Sequence, residues 1–166
     1  LSGVLLNYDY QQLITLDTSG GSGDGAVTYD ISGRDNTYYN NLADTVNTIN
    51  NIDVGLYTVI ATKDGSANFF DISATFDFSI NKIGQTGFSF TNSISQYDYL
   101  QDIPFTTTGG QITGLVTYDV PGGSMLDNVL QNGLDVGGYT VTATKDGSLN
   151  YFDISTTFDF SINKIG

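Results

Sequence analysis

Aspartate carries most of the chemistry open to this 166-residue chain. All eighteen acidic residues are Asp; Glu, His, Cys and Trp are absent, and the bases are Arg34, Lys63, Lys82, Lys145 and Lys164. Without His or Cys there is no Ser-His or Cys-His nucleophile, no zinc site of the usual ligands and no disulfide. Two Asp can in principle share acid and base roles, but no pair stands out from the Asp of turns. No catalytic or cofactor-binding residue is therefore predicted, and the chain reads as a non-enzyme.

Asp does supply hard oxygen ligands, so calcium is the cation to weigh. Asp24 lies in "GGSGDG" (20–25), which resembles a calcium-binding glycine-aspartate repeat, but the aspartate falls one position early. The matching "GGQITG" (109–114) has no Asp at all. Asp64 and Asp71, with their counterparts Asp146 and Asp153, bracket a loop where calcium could gather between repeats. The plainer reading of Lys-Asp-Gly-Ser is a turn whose Asp and Gly satisfy turn geometry.

Two other features carry possible chemistry. Tyr38, Tyr39 and Asn40 sit in a polar run and offer a stacking surface for a sugar. Lys82 and Lys164 share the parity of inward-facing residues, which raises a Lys-Asn isopeptide crosslink. Their place at strand ends, where an ammonium reaches water, argues against it.

Behind these candidates is an internal repeat. "TKDGSANFFDISATFDFSINKIG" (62–84) recurs as "TKDGSLNYFDISTTFDFSINKIG" (144–166), at an offset of 82. "VTYDISG" and "VTYDVPG", Tyr8-Asp9-Tyr10 and Tyr97-Asp98-Tyr99, and Gly20-Gly21 and Gly109-Gly110 match at 89. The first copy thus holds about seven extra residues between Gly33 and Asp53, read as an elaborated loop or an added hairpin. The expected domains are 1–84 and 85–166. Leu1 falls opposite Phe90, so the pattern reads as a window on a longer tandem array, with a duplicated two-domain protein as the alternative.

Period-two alternation identifies strands. In "GLYTVIATK", Tyr57, Val59 and Ala61 share one side, and Tyr139, Val141 and Ala143 repeat it; in "ATFDFSINK", Phe76, Phe78 and Ile80 point inward. "LITL", "AVTYDI", "IPFTTT", "LVTYDV" and "GFSFTNSIS" are further strands, with weaker candidates at 45–52 and 125–130. Six or seven short strands per unit predict a sandwich or barrel. Asp-x-Gly-x-Tyr-x-Val, at 53–59 and 135–141, decides between them. A Tyr at the start of the penultimate strand, two positions before a buried residue, is the tyrosine corner of Greek-key Ig-like sandwiches, here Tyr57 and Tyr139. The expected fold is all-β, as two tandem Ig-like Greek-key β-sandwiches.

The run "VTYD…GGYTVTATKDGSLNYFDISTTFDFSINKIG" resembles bacterial Ig-like repeat families of large surface and adhesin proteins, with similar repeats in giant-virus and phage structural proteins. The resemblance spans both units. It implies a secreted cell-surface or virion-surface spacer, neighbouring Ig-like repeats in the same or adjacent chains as partners, and no catalytic site. The net charge of −13 argues against nucleic acid, and no apolar run is long enough for direct membrane insertion. The reading is a stalk or fibre segment, a semi-rigid rod of tandem units. The alternatives are a filament subunit that exchanges strands between chains, and a carbohydrate-binding or adhesive module using the Tyr38-Tyr39 loop.

Overall fold

The structure, a computed structural model, describes residues 6–33, 36–43 (backbone only), 48–49, 52–92 and 94–166. Contacts divide the chain into two compact units, Leu1–Ile83 and Gly84–Gly166. Every element among the described residues is a strand.

Unit 1 holds β1 (Asn7–Asp9), β2 (Ile14–Thr15), β3 (Val27–Gly33), β4 (Asn36–Ala43), β5 (Thr48–Ile49), β6 (Gly55–Lys63) and β7 (Ile72–Asn81). Its larger sheet runs β1-β7-β6-β3-β4, and β2 pairs with β5 in a second ladder. The longest pairing is β6 against β7, from Gly55↔Ile80 to Lys63↔Ile72. Along it Tyr57, Val59 and Ala61 are buried opposite buried Phe78 and half-buried Phe76, while Thr58 Oγ1 donates to Asp77 Oδ1 on the outer face (2.6 Å). The alternation of apolar and polar residues is what sorts these two faces. The inner face meets Ile14, Leu16, Ile49 and Ile52 from the other layer in one continuous core.

Unit 2 holds β8 (Ser89–Phe90), β9 (Gln96–Asp98), β10 (Ile103–Pro104), β11 (Thr107–Thr108), β12 (Val116–Asp119), β13 (Met125–Leu126), β14 (Val129–Leu130), β15 (Gly137–Lys145) and β16 (Ile154–Asn163). One sheet runs β12-β15-β16-β9; facing it are β10-β14-β13 and the pair β11-β8. β10 and β11 are two halves of one extended run, the first paired with β14 and the second with β8. In both units the sheet that carries the penultimate and last strands is closed by an early strand lying parallel to the last one, Tyr8↔Ile80 and Tyr97↔Ile162. Two layers with this strand order make each unit an Ig-like β-sandwich, and β4 adds to the first what the extra strand of variable-type Ig domains adds.

Several local expectations change. The run "GFSFTNSIS" is not one strand. Among its described residues only Ser89–Phe90 is laddered, and Asn92 then bonds Pro104 O through Nδ2 (2.8 Å) and accepts from Thr106 N (3.0 Å). A side chain thus replaces the backbone ladder, and the same break splits "IPFTTT" into β10 and β11. The seven-residue insertion becomes a hairpin, so Tyr38 and Tyr39 stand on strand β4, with Ile31↔Tyr39 in register, and not on a loop. In the weaker stretch at 45–52, Thr48–Ile49 is a strand and Ile52 is buried; residues 45–47, 50 and 51 lie outside the described residues. The stretch at 125–130 is a tight hairpin turned by Asp127 and Asn128, both at positive φ (47° and 65°), as a two-residue hairpin turn requires.

Candidate functional site

The loop after the penultimate strand is the most repeated piece of geometry in the chain. Asp71 Oδ1 accepts from Gly65 N at 2.8 Å, and Asp153 Oδ1 accepts from Gly147 N at 2.8 Å. Ser66 N donates to Phe69 O (2.8 Å), as Ser148 N does to Tyr151 O (3.0 Å), closing a tight turn between them. A Cβ on Gly65 would run into Phe69 O, and one on Gly147 into Tyr151 O, so the loop closes only around glycine. The first backbone bond beyond the sheet, Asp64 N to Ala26 O and Asp146 N to Leu115 O, is also duplicated. The Gly of "KDGS" and the Asp of the "FDIS" that follows are therefore used in fastening this loop, while the Asp of "KDGS" contributes its backbone N–H.

That placement bears on the calcium candidates. Asp71 and Asp153 each accept a backbone N–H on one oxygen, and Asp64, Asp71, Asp146 and Asp153 are all exposed. Asp24 is exposed in its glycine-rich turn. No group of three or more acidic residues gathers in metal-binding geometry among the described residues.

The tyrosines of the Asp-x-Gly-x-Tyr motif bond back on their own turn. Tyr57 Oη donates to Asp53 O, and Tyr139 Oη donates to Asp135 O, each at 2.8 Å. Each ring also stacks on the phenylalanine opposite it, Tyr57 on Phe78 at 5.5 Å and Tyr139 on Phe160 at 5.7 Å. The motif thus fixes the crossover and packs the core with one side chain.

The side chains of Tyr38 and Tyr39 lie outside the described residues. Lys82 and Lys164 stand just past the last residues of β7 and β16, and Lys164 is exposed. One residue that the sequence reading missed is Gln85. It reads as a polar linker residue, yet it is buried in unit 2, with Nε2 donating to Phe152 O (2.9 Å) and Asp146 O (3.3 Å). The glycine pair Gly109-Gly110, repeated from Gly20-Gly21, was the available signal that some backbone passes close by.

No protein-family model matches the sequence, and no curated protein is significantly similar to it. Among solved structures, the chain is similar to fibronectin(III)-like modules of CbhA from Clostridium thermocellum, with 12% identity and a TM-score of 0.39 over 98% of this chain and 92% of that one. It is also similar to mouse cadherin-23 EC22-24, with 15% identity and a TM-score of 0.42 over 99% of this chain and 64% of that one. Drosophila N-cadherin EC1-4 has 14% identity and a TM-score of 0.40, with 97% of this chain and 47% of that one covered. The chain spans less than two thirds of the two cadherin chains.

Proposed function

We propose that this chain is a structural, non-catalytic segment of an extracellular protein at a cell or virion surface, a stalk or fibre piece whose partners are further Ig-like repeats. The observation that carries this reading is what duplication has kept. The matched residues, Asp71 and Asp153, Gly65 and Gly147, Tyr57 and Tyr139, all bond or accommodate backbone. Selection for a reaction keeps a cluster of reactive groups; selection for a spacer keeps the parts that make each unit fold alike.

Pulling on the full chain by its ends tests the reading. Two separate unfolding events are expected, each releasing on the order of 25 nm of chain from a unit of about 80 residues. Gradual extension without discrete events would defeat a load-bearing spacer.

A further inference from the structure

Four times in the chain an Asp or Asn is followed directly by glycine, at Asp24-Gly25, Asp64-Gly65, Asn132-Gly133 and Asp146-Gly147. Such a pair is chemically labile, because the glycine nitrogen can attack the side-chain carbonyl carbon before it and close a five-membered succinimide, with no side chain of its own in the way. What holds that nitrogen decides the outcome. Gly65 N donates to Asp71 Oδ1 and Gly147 N to Asp153 Oδ1, each at 2.8 Å, and a Cβ on either glycine would run into backbone. Gly25 is crowded in the same way against the carbonyl of Asp64. In these three pairs the glycine is bonded or hemmed in.

Asn132-Gly133 differs from them. Both residues are exposed, a Cβ on Gly133 would meet nothing within 4 Å, and Gly133 N has no hydrogen-bond partner among the described residues. The chain on either side of this peptide is fastened. Gln131 N donates to Ser124 O and Asn132 N to Asp102 Oδ1, each at 2.9 Å, and Leu134 packs against the core of unit 2. An open peptide is thus carried between fixed points just past β14. Asn132 also has the better leaving group, since an amide departs as ammonia whereas an ionised carboxylate must first be protonated to lose water. Asn92 shows the opposite case, with Nδ2 bonded to Pro104 O and Oδ1 to Thr106 N.

We propose that Asn132 is a self-modification site, at which the folded chain turns an amide into a carboxylate without an enzyme. Gly133 N attacks Cγ of Asn132, a C–N bond forms as the bond from Cγ to Nδ2 breaks, and the proton of Gly133 N leaves with Nδ2 as ammonia. Water then opens the succinimide at one carbonyl or the other, which leaves aspartate or isoaspartate at position 132. Either product adds one negative charge to a chain already at −13. The charge arises on the residue whose own N–H is bonded to the Asp102 carboxylate, so the two groups repel. In isoaspartate the main chain also runs through the side-chain carbon and is one methylene longer. Both changes loosen the tie between the end of β14 and the residue just before β10, strands that Ile103↔Leu130 pairs. The site stands whether or not the chain is a spacer.

The test ages the full native chain at neutral pH and, in parallel, the same chain in denaturant, followed by peptide mapping with mass spectrometry that separates aspartate from isoaspartate. Conversion of Asn132 in the native chain is expected within about tenfold of its rate in denaturant, and at least about tenfold faster than at any other Asn. Isoaspartate at Asp64 and Asp146 is expected in denaturant alone. Asn132→Gln should abolish the acidic species that accumulates on ageing, because its longer side chain closes a ring slowly. The amide of residue 132 should exchange faster in the converted fraction than in the unconverted one. An Asn132 that survives in the native chain while converting in denaturant would overturn the site, and so would an acidic species that persists in Asn132→Gln. Isoaspartate forming at Asp64 and Asp146 in the native chain as fast as at Asn132 would overturn the role given to the open glycine N–H. Unchanged exchange at residue 132 would overturn the coupling to Asp102.

Discussion

Strands β6 and β7 of unit 1 and β15 and β16 of unit 2 pair in the same register, Gly55↔Ile80 through Lys63↔Ile72 and Gly137↔Ile162 through Lys145↔Ile154. The edges of the same two sheets differ. In unit 1, β3 runs seven residues and is covered by β4 through a ladder with two register shifts; in unit 2, β12 runs four and is the sheet's edge. There the chain turns at once, with Gly123 N donating to Val120 O. The effect reaches the core: Tyr29 is fully buried beneath the wider sheet, and its counterpart Tyr118 is half-exposed. The inner residues of the hairpin that sit in the core, Tyr57, Val59, Ala61, Phe78 and Ile80, recur in unit 2 because each change there opens a void or forces an overlap, whereas exposed Ala74 is replaced by Thr156. An edge strand makes fewer such contacts, and copies diverge there first.

The sharpest way to break the likeness of the two hairpins is to empty their centres. Phe78 meets Tyr57 and Tyr8 (5.5 and 5.7 Å between ring centroids), and Phe160 meets Tyr139 and Tyr97 (5.7 and 6.0 Å). Phe160 also meets Phe105 at 5.5 Å, where unit 1 has Leu16. Phe78→Ala and Phe160→Ala are each expected to cost about 3 to 5 kcal/mol, with the larger loss at Phe160. Hydrogen exchange read separately from the amides of each unit measures both. Loss of protection in the unmutated unit would show that the two do not stand alone.

The hairpins were legible in the sequence because alternation at Tyr57, Val59 and Ala61 is a local pattern, and its repetition at Tyr139, Val141 and Ala143 removed ambiguity. The parallel strands β1 and β9 were not. Each is three residues long with a single buried side chain, Tyr8 or Tyr97, and its partner strand is about seventy residues away, so no local periodicity announces it. The split between β10 and β11 depends on Asn92, whose side-chain bonds only the fold brings into place. Gln85 was hidden by its type, since a buried glutamine looks like a linker until its carbonyl partners are seen. The Asp residues posed the opposite difficulty. Ligand and turn-former are the same residue type, and the bonds from Gly65 N and Gly147 N are what place Asp71 and Asp153 in their turns.

The loops give a second, smaller contrast. Gly65→Ala and Gly147→Ala each push a Cβ into a carbonyl across the turn, and a cost of about 2 kcal/mol is expected in either unit from the forced opening. The loss should be greater at Gly147, because Gln85 bonds the carbonyls of Asp146 and Phe152 in that same loop and a shifted loop breaks those bonds as well. Chemical denaturation followed by unit-resolved NMR gives both values. Equal losses would mean that Gln85 rides on the loop without holding it.

The smallest expected effect separates the two tyrosines. Tyr57→Phe and Tyr139→Phe keep the ring and remove one hydroxyl, so only the bond to Asp53 O or Asp135 O is lost. A neutral hydrogen bond contributes about 1 kcal/mol net, and more when its partner is left buried without water. Tyr57 is almost fully buried and Tyr139 half-buried, so water can reach the orphaned Asp135 carbonyl more readily than that of Asp53. Tyr57→Phe should therefore cost about 1 kcal/mol and Tyr139→Phe about half as much, measured as shifts in each unit's denaturation midpoint. A larger loss at Tyr139 would mean that its hydroxyl holds the crossover against a strain that the more enclosed unit 1 does not have.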